Sequence, residues 1–398
     1  MGINFPNTPT LGDLWPTPLV AGQPQYTWDG EKWTIGAVIG VNAAPLDALA
    51  FNGMQVNGSM DVAQEFGTTG TGTNGKQPVD GWSLSRAGTS VVIAQQNASA
   101  GLFPGFANLL YVGVSTAQAS LGVSDFVMLG HNIEGFRSQR LSWGTANAMP
   151  ITIGFWTAHA RAGIYSVTIR NNAANRSYAT TYNQNVANTA EYHTVTIPGD
   201  QTGAWFADST AGLIINFCMG SGTTFIAPTN NSWLAGNYIA ATGQVNALQS
   251  TSDAFRLTGV VVLPGTDAPT AARSALIMRP YSQELLLCKR YLNVLTGLQG
   301  SVPVAAGICY STTTMITDYI FPAPMRANPT FSTPDATGWM AQIAANTIPL
   351  SASGLALGAV SLIGVRLDAT VPSGLVVGQA GMISSRTTAA QMMFEARV

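Results

Sequence analysis

Between about residue 54 and residue 265 the chain alternates apolar and polar positions with a period of two. Ile151-Thr152-Ile153-Gly154-Phe155-Trp156-Thr157, Tyr165-Ser166-Val167-Thr168-Ile169-Arg170 and Tyr192-His193-Thr194-Val195-Thr196-Ile197 are the clearest runs, followed by Ala211–Met219 and Phe255–Leu263. Asn171-Asn172, Pro198-Gly199-Asp200 and Pro264-Gly265 interrupt them. Alternation of this kind puts one face of each strand toward a core, and many short strands divided by Gly, Pro and Asn predict a β-sandwich. Two long loops rich in Gly, Thr and Asn are expected, Gly67–Val79 and Ser221–Gly243.

The flanks read differently. Residues 1–36 form a small unit in which Tyr26-Thr27-Trp28-Asp29-Gly30-Glu31-Lys32-Trp33-Thr34 predicts a β-hairpin, with Asp29-Gly30 as a two-residue turn between aromatic positions. So small a unit needs a docking partner to be stable. Residues 37–53 are small, apolar and almost uncharged, as in a linker. The sandwich is expected over 54–278. Arg279–Leu292 suits a short linking helix over 279–292, with Ser282 as its N-cap, Glu284 in the first turn and Lys289 and Arg290 at the end. Residues 293–398 return to strand-like patterning, over Thr317–Phe321, Thr330–Thr333, Ala359–Leu367 and Gln391–Val398, enough for a smaller C-terminal β-sandwich. The most apolar long stretch, Leu350–Val365, is too short to span a bilayer and reads as two buried strands and a turn. The start of the chain has neither a basic segment nor a continuous apolar run, so no secretory signal is expected.

Charge changes this picture by its scarcity. Among 398 residues there are 17 Lys+Arg and 19 Asp+Glu, 9% in all, where soluble domains carry about 25%. The net charge of −2 leaves no basic surplus for a phosphate backbone, so nucleic acid is not an expected partner. Thr, Ser, Asn, Gln and Gly must supply the surface instead. Cys218, Cys288 and Cys309 lie far apart without metal-ligand spacing and are expected to be buried thiols.

Several blocks together resemble bacteriophage virion proteins. Ile3-Asn4-Phe5-Pro6 with the Tyr26–Trp33 hairpin is similar to a short N-terminal module of phage tail and fibre proteins. Val56-Asn57-Gly58-Ser59-Met60-Asp61-Val62-Ala63-Gln64 and Val79-Asp80-Gly81-Trp82 resemble the opening of a jelly roll in tail-fibre-like proteins. Ile133-Glu134-Gly135-Phe136, Leu141-Ser142-Trp143-Gly144-Thr145-Ala146-Asn147-Ala148, Tyr192–Gly203 and Arg279–Tyr291 continue the resemblance. One departure is Leu292, where the family's closing block often has a second tyrosine. The resemblance implies a mainly β chain with a central jelly roll similar to carbohydrate-binding modules. It also implies a homotrimeric assembly on the virion, attached to other virion proteins through Tyr26, Trp28 and Trp33.

Candidate chemistry favours binding. The histidines His131, His159 and His193 are isolated, and no nucleophile elbow, zinc-protease helix or phosphate loop is present. Glu134, Glu191, Asp200, Asp208 and Asp253 have no motif pairing them for glycan cleavage. No catalytic residue, metal or cofactor is expected. Trp and Tyr present apolar faces to sugars, and Trp205, Trp233, Tyr182 and Tyr238 lie in or near polar, small-residue segments, with Asp208 close to the first. They are the candidate glycan contacts, whereas Trp82, Trp143 and Trp156 read as core. Arg137, Arg140, Arg161, Arg170 and Arg176 fall within forty residues and suit interface contacts or an anionic glycan. The function expected is a non-enzymatic virion fibre or fibre-like appendage contributing to recognition of a host-surface glycan. The alternatives are a purely structural head-decoration, head-fibre or tail-adaptor protein and a polysaccharide depolymerase. Membrane insertion is not expected.

Overall fold

Nearly all of the regular structure is antiparallel strand, in a computed structural model that describes residues 5–17, 25–28, 30–35, 53–297, 302–344, 346–388 and 390–398. The chain divides into two compact units, Met1–Leu49 and Ala50–Val398. In the first, β1 (Leu14–Trp15), β2 (Tyr26–Trp28) and β3 (Trp33–Ile35) form a three-stranded sheet. The expected hairpin is β2–β3, but Trp28 pairs with Trp33, so four residues connect the strands instead of Asp29-Gly30 alone. Asp29 itself lies outside the described residues. Aromatic rings replace a conventional core. Phe5 stacks on Trp33 at 5.2 Å and meets Tyr26 edge-on at 4.9 Å, and Trp28 contacts Trp33 at 5.6 Å. The linker expected over 37–53 lies outside the described residues, except for Gly53.

The second unit opens with the sandwich. Its strands are β4 (Trp82–Ala87), β5 (Val91–Ala98), β6 (Asn108–Thr116), β7 (Phe126–Glu134), β8 (Ile151–His159), β9 (Gly163–Arg170), β10 (Arg176–Gln184), β11 (Glu191–Ile197), β12 (Ala211–Ser221), β13 (Trp233–Ala235) and β14 (Ala254–Pro264). They build a six-stranded sheet, β13-β10-β9-β12-β7-β4, and a five-stranded sheet, β11-β8-β14-β6-β5, with every pairing antiparallel. Trp82, Leu110, Phe155, Tyr165, Phe217 and Phe255 fill the space between them. This is a jelly-roll sandwich. The period-two pattern does not mean that the second face is wet. Strand β12 is buried at every position but its last. The Ser221–Gly243 loop lies over the outer face of the six-stranded sheet, where the Ala241 N–H donates to Ser166 Oγ at 2.7 Å and Ala179, Ala227 and Ala241 pack together.

A 3-10 helix, Ala271–Ile277, and a short α-helix, α2, link sandwich and tail; α2 follows α1 (Gly135–Ser138) and spans Tyr281–Cys288. Pro280 occupies its N-cap, so Ser282 lies inside the helix and makes no cap, a correction to the expected start. The tail strands are β15 (Leu292–Thr296), β16 (Pro303–Cys309), β17 (Thr314–Ile320), β18 (Thr330–Ser332), β19 (Trp339–Ile343), β20 (Asn346–Pro349), β21 (Leu355–Val360), β22 (Gly364–Thr370), β23 (Ala380–Ser385) and β24 (Gln391–Glu395). Sheets β15-β24-β18 and β20-β19-β23-β16-β17-β22-β21 share a core centred on Met315, Trp339, Leu367, Ile383 and Phe394. The Leu350–Val365 stretch is not two buried strands. It supplies β21 and the start of β22, and β21 is mostly exposed because it forms the edge of the sheet.

Buried ionic contacts join tail to sandwich. The Glu134 carboxylate, at the end of β7, accepts from Arg290 Nη2 at 2.6 Å, Arg290 Nε at 3.0 Å and Tyr291 Oη at 2.7 Å. Glu65 accepts from Lys76 and from Arg397. Glu284 of α2 accepts from the Asn57 N–H at 2.7 Å and pairs with Arg279, whose other nitrogen donates to Gly53 O. Cys218, Cys288 and Cys309 are buried and unpaired. No described helix is long and apolar enough to cross a membrane.

All three histidines are held in their neutral form. His131 stacks on Trp82 at 4.5 Å, its Nε2 accepts from the Val56 N–H, and its proton therefore sits on Nδ1, donated to Gly81 O. Burial pushes His131 and His193 down to about 4, and His159 well below the ordinary value. A depressed histidine adds stability that is complete above the unfolded value of about 6.5 and is lost as pH falls toward the folded one. Asp80 has the opposite sign, since burial pushes it up to about 6. Three histidines outweigh one carboxyl, so the melting temperature should fall as pH is lowered from 7 toward 4. Calorimetry across that range checks it; a flat or rising profile would contradict the burial of the imidazoles.

Candidate functional site

A cleft of about 390 Å³ opens at one end of the sandwich. Its two walls are loops far apart in sequence. One is the β7–β8 connection, residues 135–150, containing α1 and a tight turn at Gln139–Leu141. The other is the β11–β12 connection, residues 198–210. Trp143, Trp205 and Phe206 line it together with Ser142, Asn147 and Gln139.

Two glycines let the loops meet. A Cβ on Gly135 would lie 2.6 Å from Phe206 O and 2.7 Å from Asp208 N, and the Gly135 and Phe136 N–H groups donate to Thr210 O and Asp208 O. Gly144 takes φ +83°, a conformation that disfavours side chains, and its N–H donates to Asp200 O at 2.7 Å.

The buried Asp200 carboxylate fixes the aromatic wall. It accepts from Arg176 Nη2 at 2.6 Å and from Arg176 Nε, from the Gly203 N–H at 2.9 Å and from Trp205 Nε1 at 3.1 Å. Burial alone would raise this carboxyl, but the Arg176 and Trp205 hydrogen bonds and the Arg176 charge outweigh it and hold it below its ordinary value. Arg176 also lies over the Trp233 ring at 5.8 Å. Trp143, Trp205 and Trp233 then meet edge-to-face in a closed trio, at 4.7, 5.3 and 5.5 Å. Each such pair adds about 0.5–1.5 kcal/mol beyond area burial. Trp143 Nε1 donates to Met149 O and Trp233 Nε1 to Pro198 O, so all three indole N–H groups are used inside the protein.

The structure distributes the expected site residues unevenly. Trp205 lines the cleft, and Trp233 buttresses it from behind. Asp208 is exposed beside the cleft, but its Oδ1 closes a turn by accepting from the Thr210 N–H and Oγ1. Tyr238 is half-buried over the outer sheet face, against the Ala179 cluster, and does not line the cleft. Tyr182 is corrected as a sugar contact: it sits in the core, edge-on to Phe155, with its hydroxyl 2.8 Å from His159 Nε2. It lies on the inward-facing register of β10. Trp143, expected as core, is half-buried and forms a wall of the cleft; Trp82 and Trp156 are buried. Sequence reasoning missed Trp143 because it was read as a strand neighbour, when it belongs to the loop that opens the cleft. The resemblance blocks Leu141–Ala148 and Tyr192–Gly203 were the available signal, since they are the stretches that the fold brings together here.

Of the five carboxylates considered for cleavage, Asp208 is exposed with Oδ1 in its turn, and the other four are held by this chain. Glu134 and Asp200 are paired as described, Asp253 with Arg161, and Glu191 accepts from the Asn185 and Val186 N–H groups. Among the described residues, no group of three or more His, Cys, Asp or Glu could hold a metal ion.

No family model matches the chain, and no curated protein matches it. Among solved structures it is similar to the enzymatically active domain of bacteriophage CBA120 tailspike protein 4, at 12% identity and a TM-score of 0.28, over 54% of this chain and 21% of that one. It is also similar to a CBM4 carbohydrate-binding module (15%, TM-score 0.30, 52% and 97%). A third match is a family 11 carbohydrate-binding module from Clostridium thermocellum, in complex with a β-1,3-1,4-mixed-linked tetrasaccharide (12%, TM-score 0.26, 49% and 96%). The chain thus spans about a fifth of the tailspike chain and nearly all of the two modules. The sandwich assignment rests on the strand order and pairing given above.

Replacing Asp200 by Asn keeps the shape but strands Arg176 and weakens the Trp205 anchor. Breaking such a buried pair should cost roughly 3 kcal/mol or more. Urea unfolding will measure that loss, and tryptophan emission should shift to the red as the trio loosens. Unchanged stability and emission would show that the carboxylate does not organise the wall.

Proposed function

We propose that the chain is a bacteriophage virion structural protein, a fibre or fibre-like appendage that binds a host-surface glycan without cleaving it. The observation that carries the binding is the cleft: two tryptophans beside hydroxyl and amide side chains, on a rigid sandwich. Apolar faces with a few polar groups are the usual make-up of a small-ligand site, and about 390 Å³ is within the usual size range. The virion part rests on the sequence blocks. The aromatic N-terminal unit, with Tyr26, Trp28 and Trp33, is the element proposed to attach the chain to other virion proteins. The pairing of Glu134, Asp200 and Asp253 with arginines and the capping role of Glu191 support binding over hydrolysis.

Glycan-array binding of the purified full chain tests the reading. We expect signal on a subset of glycans, at least about tenfold weaker after Trp205→Ala, and no released oligosaccharide in a reducing-end assay. No array signal would favour a purely structural role, and released sugar would make the protein a depolymerase.

Self-association is proposed through the tail. The β21–β22 hairpin ends the seven-stranded sheet with an open edge; its tip exposes Leu362 and Ile363, and Ile363 and Ile320 line a recess of about 330 Å³. Ser361 Oγ makes the turn by accepting from the Ile363 and Gly364 N–H groups, which leaves the tip free to carry large apolar side chains. Open edges and apolar patches of this kind usually mark a contact. Light scattering should give about three times the 41.6 kDa chain mass, and Ile363→Asp should lower it. A monomeric parent chain would remove the trimer.

A further inference from the structure

We infer that the Trp143–Trp205 cleft takes an uncharged pyranose residue, laid flat on an indole, and discriminates against carboxylated or sulfated sugars. The inference rests on the glycan-binding reading above and narrows it to a chemical class.

The first step is what the tryptophans can offer. Their N–H groups are committed to Asp200, Met149 O and Pro198 O, and Trp233 does not reach the cleft. Trp143 and Trp205 therefore offer ring carbon surface and no hydrogen bond. A partner for that surface must have a flat run of C–H groups, as one face of a pyranose ring has.

The second step is the polar lining. Ser138 Oγ donates to Gly135 O, and Thr145 Oγ1 donates to Ser142 O and accepts from the Asn147 N–H. Gln139 Nε2 donates to Phe136 O, leaving its Oε1 as an acceptor. Ser142 Oγ and the Asn147 side-chain amide make no hydrogen bond among the described residues. The cleft thus presents one hydroxyl, one amide and one amide oxygen, a mixture of donors and acceptors that suits neutral hydroxyls.

The third step is charge. Arg176 is closed on Asp200, the carboxylate that anchors Trp205. Arg137 is spent on the carbonyls of Gly53 and Gln55. Arg140 does not line the cleft. At the rim the Asp208 carboxylate, which Thr210 holds below its ordinary value, is balanced by Arg326, whose guanidinium donates to Ser209 O at 2.8 Å. An anionic sugar would leave water for a cleft none of whose lining residues is charged, which is unfavourable.

Isothermal titration of the full chain decides it. The probes are cellohexaose, xylohexaose, mannohexaose and maltohexaose as neutral chains, with hexagalacturonate and a hyaluronan hexasaccharide as acidic ones. The inference expects at least one neutral chain to bind about tenfold or more tighter than both acidic ones, with an affinity unmoved by added salt. Trp205→Ala should abolish that binding. Because Trp205 also packs on the core, Asn147→Ala on the exposed loop is the second variant and should weaken it severalfold with the melting temperature unchanged. Acidic chains bound as tightly as neutral ones, or more so and released by salt, would overturn the inference and leave the glycan reading standing. No binding to any of the six would remove both.

Discussion

Much of the second unit hangs on one buried carboxylate. Glu134 closes β7 and is 2% exposed, and it holds Arg290 and Tyr291 at the point where the chain leaves α2 for the tail. A carboxylate so placed is tolerable only if its oxygens are fully used, and here they accept from a guanidinium fork and a phenol. Glu134 is also the residue before Gly135, where the cleft loop begins. The contact that fixes the tail on the sandwich thereby fixes the start of α1 and one wall of the cleft.

Asp200 plays the corresponding part on the other wall. It recruits Arg176 from β10, the indole of Trp205 and the backbone of its own loop, and the Gly144 N–H reaches its carbonyl from across the cleft. Preorganisation follows from this arrangement. Rings locked edge-to-face in a trio lose little freedom when a ligand stacks on one of them, so less of the contact energy is lost to ordering. The same arrangement commits the indole N–H groups inside the protein, so in the proposed site specificity falls to Ser142, Asn147 and Gln139.

The strand pattern was legible in the sequence because the sandwich core uses one face of each strand, and a period of two records that directly. The runs at 151–157, 165–170 and 192–197 became β8, β9 and β11 with small changes at their ends. What the period could not show was the second face, which a loop of the same chain covers. Register is also why Tyr182 misled: its neighbours Thr181 and Asn183 are polar, but its own position on β10 points inward. The Leu350–Val365 stretch misled in the opposite direction. Its apolar residues suggested burial, yet edge position leaves them exposed, and edge position is a property of sheet order that no local window contains. Trp143 and Trp205 are 62 residues apart, so the cleft existed in the sequence only as two separate blocks.

Scarcity of charge connects these points. With 36 charged residues in 398, the chain spends carboxylates where a join must be specific, at Glu65, Glu134, Asp200, Asp253 and Glu284. Glu65, Glu134, Asp200 and Asp253 each draw an arginine from a distant part of the chain, and Glu284 draws Arg279 from just ahead of α2. Recognition surfaces are then left to hydroxyls, amides and ring faces, whose interactions depend little on salt. A surface of that kind binds neutral, hydroxyl-rich partners by shape and stacking, and it gains little from long-range steering. Under the proposed role, affinity per site would be modest and avidity would come from repetition of the site across copies. In the proposed assembly the β21 edge would join copies, and their clefts would then act together on one glycan surface.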